Sequence, residues 1–298
     1  WSGLPEGEVA PPFTPEISDN IEILFIAGPK QKFSDQALVA VEDYINRGGK
    51  ILWMVQGTQI DQASLTATEL TTGLEPFLAQ EGITLNPDVV ADVTSHENVN
   101  FNQGLFSFLL PYPFWVRAGL ATHPIAGNIS EVIMTWPSSI TVKEEKETIK
   151  TLVRTTNTGL AADTQTSLNP NALPNFTEFD QRVTTLGVTV EDIESADEAE
   201  KGRWVVLSST QFLDGGILQQ YPQNALLIVN ALDWLSQNEA LLTIRTKNSQ
   251  PSSLSFSSTS QQQAIKWLNT AGMPIAITLF GAVWLWRRRR SIIKGSSN

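Results

Sequence analysis

The first sixty residues alternate short apolar blocks with polar turns. Ile21–Ala27 (IEILFIA) is a short apolar, β-rich run closed by Gly28-Pro29, the pattern of a buried strand. Ser34-Asp35 opens a helix whose Leu38, Val41 and Ile45 recur at helical spacing, and Gly48-Gly49 ends it. Ile51–Val55 (ILWMV) is a second buried strand. Strand, helix and strand in this order predict a right-handed βαβ unit with parallel strands. Further on, an amphipathic helix is predicted over Thr68–Gln80 and a short strand at Asp88–Ala91.

Asn98–Ser138 is rich in Pro, Gly and aromatics and reads as loops with short strands. Ile140–Val153 is polar and β-tending, Asn169–Asn175 is a loop, and Glu191–Lys201 is an acidic solvated turn. Trp204–Leu207 is a strand running into Ser208-Ser209-Thr210. Ala225–Leu235 is a largely buried helix, and Leu241–Arg245 is a last strand. The alternation predicts an α/β fold with a mostly parallel sheet and helices on both faces.

The end of the chain breaks this pattern. Trp267–Trp286 contains no charge and, as a helix, would span about 30 Å, the thickness of a bilayer core. Pro274 lies near its start. Trp267 at one end and Trp284 and Trp286 at the other suit membrane interfaces, and Gly272, Ala276 and Gly281 permit close helix approach. Arg287, Arg288, Arg289 and Arg290 follow directly and predict a cytoplasmic C-terminus, with the large N-terminal part outside the membrane. Thr246–Gln263 holds seven serines, four glutamines and no acid, a stalk composition. The expected organisation is an extended segment at 1–20, an extracytoplasmic domain at 21–245, a stalk at 246–264, a membrane helix at 265–286 and a basic tail at 287–298. Trp1 in place of Met leads us to expect a start inside a longer protein.

Composition sharpens this division. The 298 residues carry a net charge of −11, but residues 287–298 hold five of the 20 basic residues and none of the 31 acids. The rest carries 15 bases against 31 acids, a net −16. Such a surface repels phosphate backbones and argues against nucleic acid as a partner, whereas the arginines suit an anionic lipid leaflet. The absence of Cys removes thiolate chemistry, and two histidines, His96 and His123, cannot build a His-rich metal site. No cofactor is expected.

In an open parallel sheet, ligands bind beyond the carboxyl ends of the strands. Those ends are Gly28-Pro29-Lys30, Gln56-Gly57-Thr58 and Ser208-Ser209-Thr210, and none carries a phosphate-binding glycine motif or a nucleophile elbow. Ser208 or Ser209 would need His123 as a base to act as a nucleophile in an anchored hydrolase. Tyr112, Trp115 and Trp136 could stack on sugar faces in a carbohydrate-binding ectodomain. Asp92 and Asp214 lie near strand ends, where carboxylates cap turns.

Several segments resemble the family of extracytoplasmic subunits of ABC-type transport systems that includes gliding-motility GldG. They are Ile21–Val55, Leu74–Asp92 (LEPFLAQEGITLNPDVVAD), Tyr112–Val116 (YPFWV), Thr122–Ile125 (THPI), Arg203–Asp214 (RWVVLSSTQFLD) and Asn224–Lys247, followed by the stalk, the uncharged stretch and the arginines. The stretch around residues 160–180 matches none of these. The resemblance implies a Rossmann-like, glutamine-amidotransferase-like domain related to one in intraflagellar-transport proteins. It also implies a permease and a cytoplasmic ATPase as partners, and residence in the cytoplasmic membrane. Without a cysteine the chain lacks the amidotransferase nucleophile, so a non-enzymatic accessory role is expected.

Overall fold

The computed structural model describes residues 16–103, 106–143, 148–193 and 202–236. Trp1–Ser249 and Gln250–Asn298 form separate units, and every described residue lies in the first. In chain order the elements are β1 (Ile23–Ala27), α1 (Asp35–Asn46), β2 (Lys50–Met54), β3 (Thr58–Asp61), β4 (Thr66–Glu69), α2 (Glu75–Gln80), β5 (Ile83–Leu85) and β6 (Val89–Asp92). Then come β7 (His96–Gln103), β8 (Phe106–Leu120), β9 (Glu131–Thr135), β10 (Ile140–Val142), β11 (Ile149–Arg154) and β12 (Gly159–Ala162). The described chain ends with β13 (Thr185–Ile193), β14 (Gly202–Leu207), α3 (Gly215–Gln220) and α4 (Gln223–Leu235).

The first unit forms as its sequence directs. Ser34 accepts the Ala37 amide at 3.2 Å and starts α1. Gly48, at φ +79°, donates to the Ile45 carbonyl and stops it. β1 and β2 pair in parallel, from Ile23 opposite Lys50 to Ala27 opposite Met54. β14 joins the other edge of β2, also in parallel. Period-2 alternation splits the core here. Leu52, Met54, Val205 and Leu207 pack with Leu227, Ala231 and Trp234 of α4. Ile51, Trp53, Trp204 and Val206 pack with Val41, Tyr44 and Ile45 of α1.

The mostly parallel Rossmann-like sheet is corrected. Among the described residues only β1, β2 and β14 run parallel; the strand order β1-β2-β14-β13-β11-β8-β7 is antiparallel from β14 onward. β9 adds to β8, and β10 bridges β13 and β5, so the result is a mixed, curling sheet. The cause is the segment read as loops. β8 is 15 residues long and is shared by β7, β9 and β11. Its Pro111 and Pro113 lie beside the register irregularity at His96/Glu97, where a missing amide is tolerated.

Two further expectations shift. The helix predicted over Thr68–Gln80 exists only from Glu75. Thr66–Glu69 is instead a strand paired with β3, and Gly73 at φ +87° turns the chain between the two. Glu75 then reaches back to the Thr72 and Gly73 amides at 2.7 and 2.8 Å. The strand expected at Asp88–Ala91 forms as β6, but it pairs with β12 in a separate two-stranded sheet. Among the described residues no helix is long and apolar enough to cross a membrane. The extended start at Trp1–Pro15, the strand at Leu241–Arg245, the stalk, the membrane stretch and the arginine tail lie outside the described residues.

Candidate functional site

The carboxyl ends of the three parallel strands meet in one polar seam. The Gly28 amide donates to Met54 at 2.9 Å, and the Val55 amide donates to Leu207 at 3.0 Å. Beyond them, Thr210 Oγ1 donates to Gln56 Oε1 at 3.2 Å. A Cβ on Gly28, which sits at φ +56°, would stand 3.1 Å from Thr210 Oγ1. The three loops singled out from the sequence are therefore neighbours.

Segments far away in the chain close the seam. Gln56 Nε2 donates to the Trp136 carbonyl at 3.0 Å, and the Gly57 amide donates to Ser138 Oγ at 3.0 Å. Ser138 Oγ donates to the Asp88 carbonyl at 2.9 Å. The Ser139 amide and hydroxyl bind the Asp88 carboxyl at 2.7 and 2.5 Å. Burial pushes the Asp88 carboxyl above its ordinary value, against the opposing pull of Ser139 and the Arg182 charge. Asn86 Nδ2 adds bonds to Ser139 and Thr141 at 2.8 and 2.9 Å.

Ser208 and Ser209 lie in the middle of this seam and are fully buried. Ser208 donates its hydroxyl to the Leu186 carbonyl at 2.9 Å, and Ser209 to the Thr135 carbonyl at 2.7 Å. No hydrogen bond joins either to His123. That imidazole lies edge-on to Trp234 at 5.3 Å, and its Nδ1 accepts the Ile125 amide at 3.3 Å. Burial lowers its pKa to about 4. Arg203 covers the Trp234 ring at 5.3 Å.

The three sugar-cleft candidates come together, but as packing. Tyr112 is 1% exposed and Trp136 8%. The Trp115 and Trp136 rings meet edge-on at 5.7 Å, and Tyr112 lies 6.3 Å from Trp115 and 6.4 Å from Trp136. With Phe114, Leu160 and Leu168 they belong to a third core, beside the β6–β12 sheet.

Asp92 is buried and accepts the amides of Thr94, Ser95 and Thr156 at 3.1, 3.0 and 2.7 Å, together with the Thr156 and Thr158 hydroxyls. It fastens β6 to the loop before β12. His96 Nδ1 lies 3.0 Å from the Asp92 carbonyl. Asp214 sits at the N-cap of α3 without a side-chain cap bond. Trp267, Pro274, Gly281, Trp284, Trp286 and Arg287 to Arg290 lie outside the described residues.

Asp88, Ser138 and Ser139 do not stand out in the sequence, and neither does a second charged cluster. Arg117 on β8 bonds Glu97 on β7 and, at 2.5 Å, Glu131 on β9. The signal for the cluster was a charge placed at matching depth on three adjacent strands, visible only once those strands are known. Among the described residues no group of three or more His, Asp or Glu side chains could hold a metal ion. Within the seam the Ser208 and Ser209 hydroxyls bond backbone carbonyls, and the Ser139 hydroxyl bonds the Asp88 carboxyl.

No curated protein matches the chain. Among solved structures it is similar to the mmIFT52 N-terminal domain, at 15% identity and a TM-score of 0.46, over 73% of this chain and 78% of that one. The family model described as "ABC-type uncharacterized transport system" matches residues 7–264, most of the sequence, and the chain belongs to that family of ABC transport-system auxiliary proteins.

Proposed function

We propose that the chain is a non-catalytic accessory subunit of an ABC-type transport system, of the GldG-like kind. Its mixed-sheet unit stands outside the cytoplasmic membrane and binds a partner or substrate there. The uncharged stretch at 267–286 attaches the chain to the membrane lipid, and Arg287–Arg290 keep its end on the cytoplasmic side. The partners are a permease and, through it, a cytoplasmic ATPase.

The observation that carries the reading is the closed strand-end seam. Enzymes on open sheets keep a reactive group free at this place. Here Ser208 and Ser209 spend their hydroxyls on backbone carbonyls, and His123 packs on Trp234. That economy suits a rigid binding platform. The test is purification of the full chain from membranes in a mild neutral detergent. A permease and an ATPase are expected to accompany it in fixed ratio; a chain that migrates alone would overturn the proposal.

A further inference from the structure

We infer that the outward face of α1 is a docking groove for a basic, amphipathic helical segment of a partner subunit. The inference names the partner chemistry for the accessory-subunit reading and rests on it. The groove has a volume of about 510 Å³ and is lined from the helix by Asp35, Gln36, Val39, Ala40, Asp43 and the following Arg47. Glu16 and Ile17 form the opposite wall.

Four features point to this use. Asp35, Val39 and Asp43 follow at i, i+4 and i+8, so they form one stripe on the helix. Val39 is 54% exposed, among the largest exposures of any bulky apolar side chain in the described residues. It is bracketed one turn away on each side by a carboxylate. A partner helix with an apolar residue flanked by Lys or Arg is its complement in shape and charge.

Second, the wall is held in place before any partner arrives. Arg47 bonds the Ile17 carbonyl and pairs with Asp19. Tyr44 donates towards the Ile21 and Glu22 carbonyls at 3.3 and 3.2 Å. Arg47 also lines the groove, but it faces the three carboxylates of Glu16, Asp35 and Asp43 as well as its partner Asp19, so the groove stays acidic. Third, α1 carries three acids and no base, and Asp43 lies in its last turn. A carboxylate there opposes the helix dipole, so it weakens the fold that it decorates. Fourth, the chain's own first fifteen residues contain Glu6 and Glu8 and no Lys or Arg. Their charge disfavours them as the occupant.

The probe is a fluorescein-labelled 18-residue helix of Leu and Lys, titrated by anisotropy against the full chain in neutral-lipid nanodiscs, with empty nanodiscs subtracted. Saturable micromolar binding is expected. D35K combined with D43K is expected to weaken it at least tenfold, and V39D by a similar factor. E69K combined with D180K changes the net charge equally at positions that do not line the groove, and it is expected to weaken binding less than threefold. D43K alone is expected to raise the melting temperature while lowering affinity, which separates lost docking from lost folding. Absence of saturable binding, or an equal effect of the two charge pairs, would overturn the groove. Tighter binding after removal of residues 1–15 would also overturn it, in favour of the chain's own N-terminus as occupant. A negative result alongside intact co-purification with the permease would remove the groove and leave the accessory-subunit reading standing.

Discussion

The Trp136 indole donates to the Tyr112 hydroxyl at 2.9 Å, and that hydroxyl donates onward to the Leu168 carbonyl at 2.7 Å. One buried phenol thus links the end of β9, the middle of β8 and the loop after β12. Trp136 sits at φ +45°, which a bulky residue rarely adopts, so its neighbours must hold it there. Y112F removes the relay and leaves a buried donor and a buried acceptor unsatisfied. The expected cost is about 1–3 kcal/mol, read as a lower urea midpoint with an unchanged slope. Burial also raises the Tyr112 pKa to about 12, against the opposing hydrogen bond from Trp136. Between pH 10 and 12 the unfolded phenol ionises while the native one stays protonated, so stability falls with rising pH in that window. Y112F should remove this part of the alkaline slope.

Gly57 is required by space alone. A Cβ there would stand 2.0 Å from the Asn86 carbonyl oxygen, a backbone atom that cannot rotate away. The residue also donates its amide to Ser138 at 3.0 Å. G57A is therefore expected to open the strand-end seam and cost about 3 kcal/mol, at the upper end of overpacking effects. Gly82 is the contrast, with open space around its Cβ position but φ +84°. G82A should cost only the left-handed backbone strain, about 1–2 kcal/mol. Chemical denaturation of the two variants side by side checks the order.

How far the fold could be read from the chain follows from where its partners lie. β2 and β14 are apolar runs buried on both faces, β1 is an apolar run at the sheet edge with Ile26 buried, and α1 has a Ser cap and a Gly stop; these signals are local. The antiparallel half was obscured because Pro111 and Pro113 resemble loop punctuation. Yet Tyr112, Phe114, Val116 and Ala118 are all nearly or fully buried, while Trp115, Arg117 and Gly119 alternate with the last of them as half-buried positions. That period of two is a strand pattern, and it outweighs the prolines. The strand-end loops of the seam were visible as turns after apolar runs. Asp88, Ser138 and Ser139 were not, because Ser138 reaches Gly57 across 81 residues and Ser139 reaches Asp88 across 51. Hydroxyls in polar turns look alike until the tertiary structure pairs them.

Arg117 pairs with both Glu97 and Glu131, and it ties β7, β8 and β9 at one level. Glu97 is buried, and Tyr221 lies close enough that burial, first, and the Glu97 carboxylate, second, hold its phenol protonated far above the ordinary value. R117M leaves the buried Glu97 without its guanidinium and is expected to cost about 3–5 kcal/mol. Replacing Glu97 itself by Gln removes one of two acids and keeps a hydrogen-bonding oxygen, so about 1 kcal/mol is expected. If the pair of variants, measured by urea unfolding, fell in the reverse order, Arg117 would not be what holds the cluster together.

His123 gives the domain an acid sensitivity of known sign. Burial lowers its pKa to about 4, with Lys150 adding to the effect and Glu191 opposing it. The unfolded imidazole titrates near 6.5. As pH falls from 6.5 to 4 the unfolded chain gains a proton that the native chain refuses, so stability is full above 6.5 and declines through that window. Asp88 acts in the opposite direction, because its raised value lets the native state take up a proton first. The wild-type curve therefore mixes both, and a substitution is needed to separate them. H123F keeps an aromatic ring against Trp234 and has no proton to bind. Its melting temperature between pH 7 and 4.5 is expected to fall less steeply than that of the wild type, with the two curves parallel above pH 7. Identical slopes across the whole range would mean that His123 takes up its proton equally in both states and that its packing against Trp234 leaves the imidazole in contact with solvent.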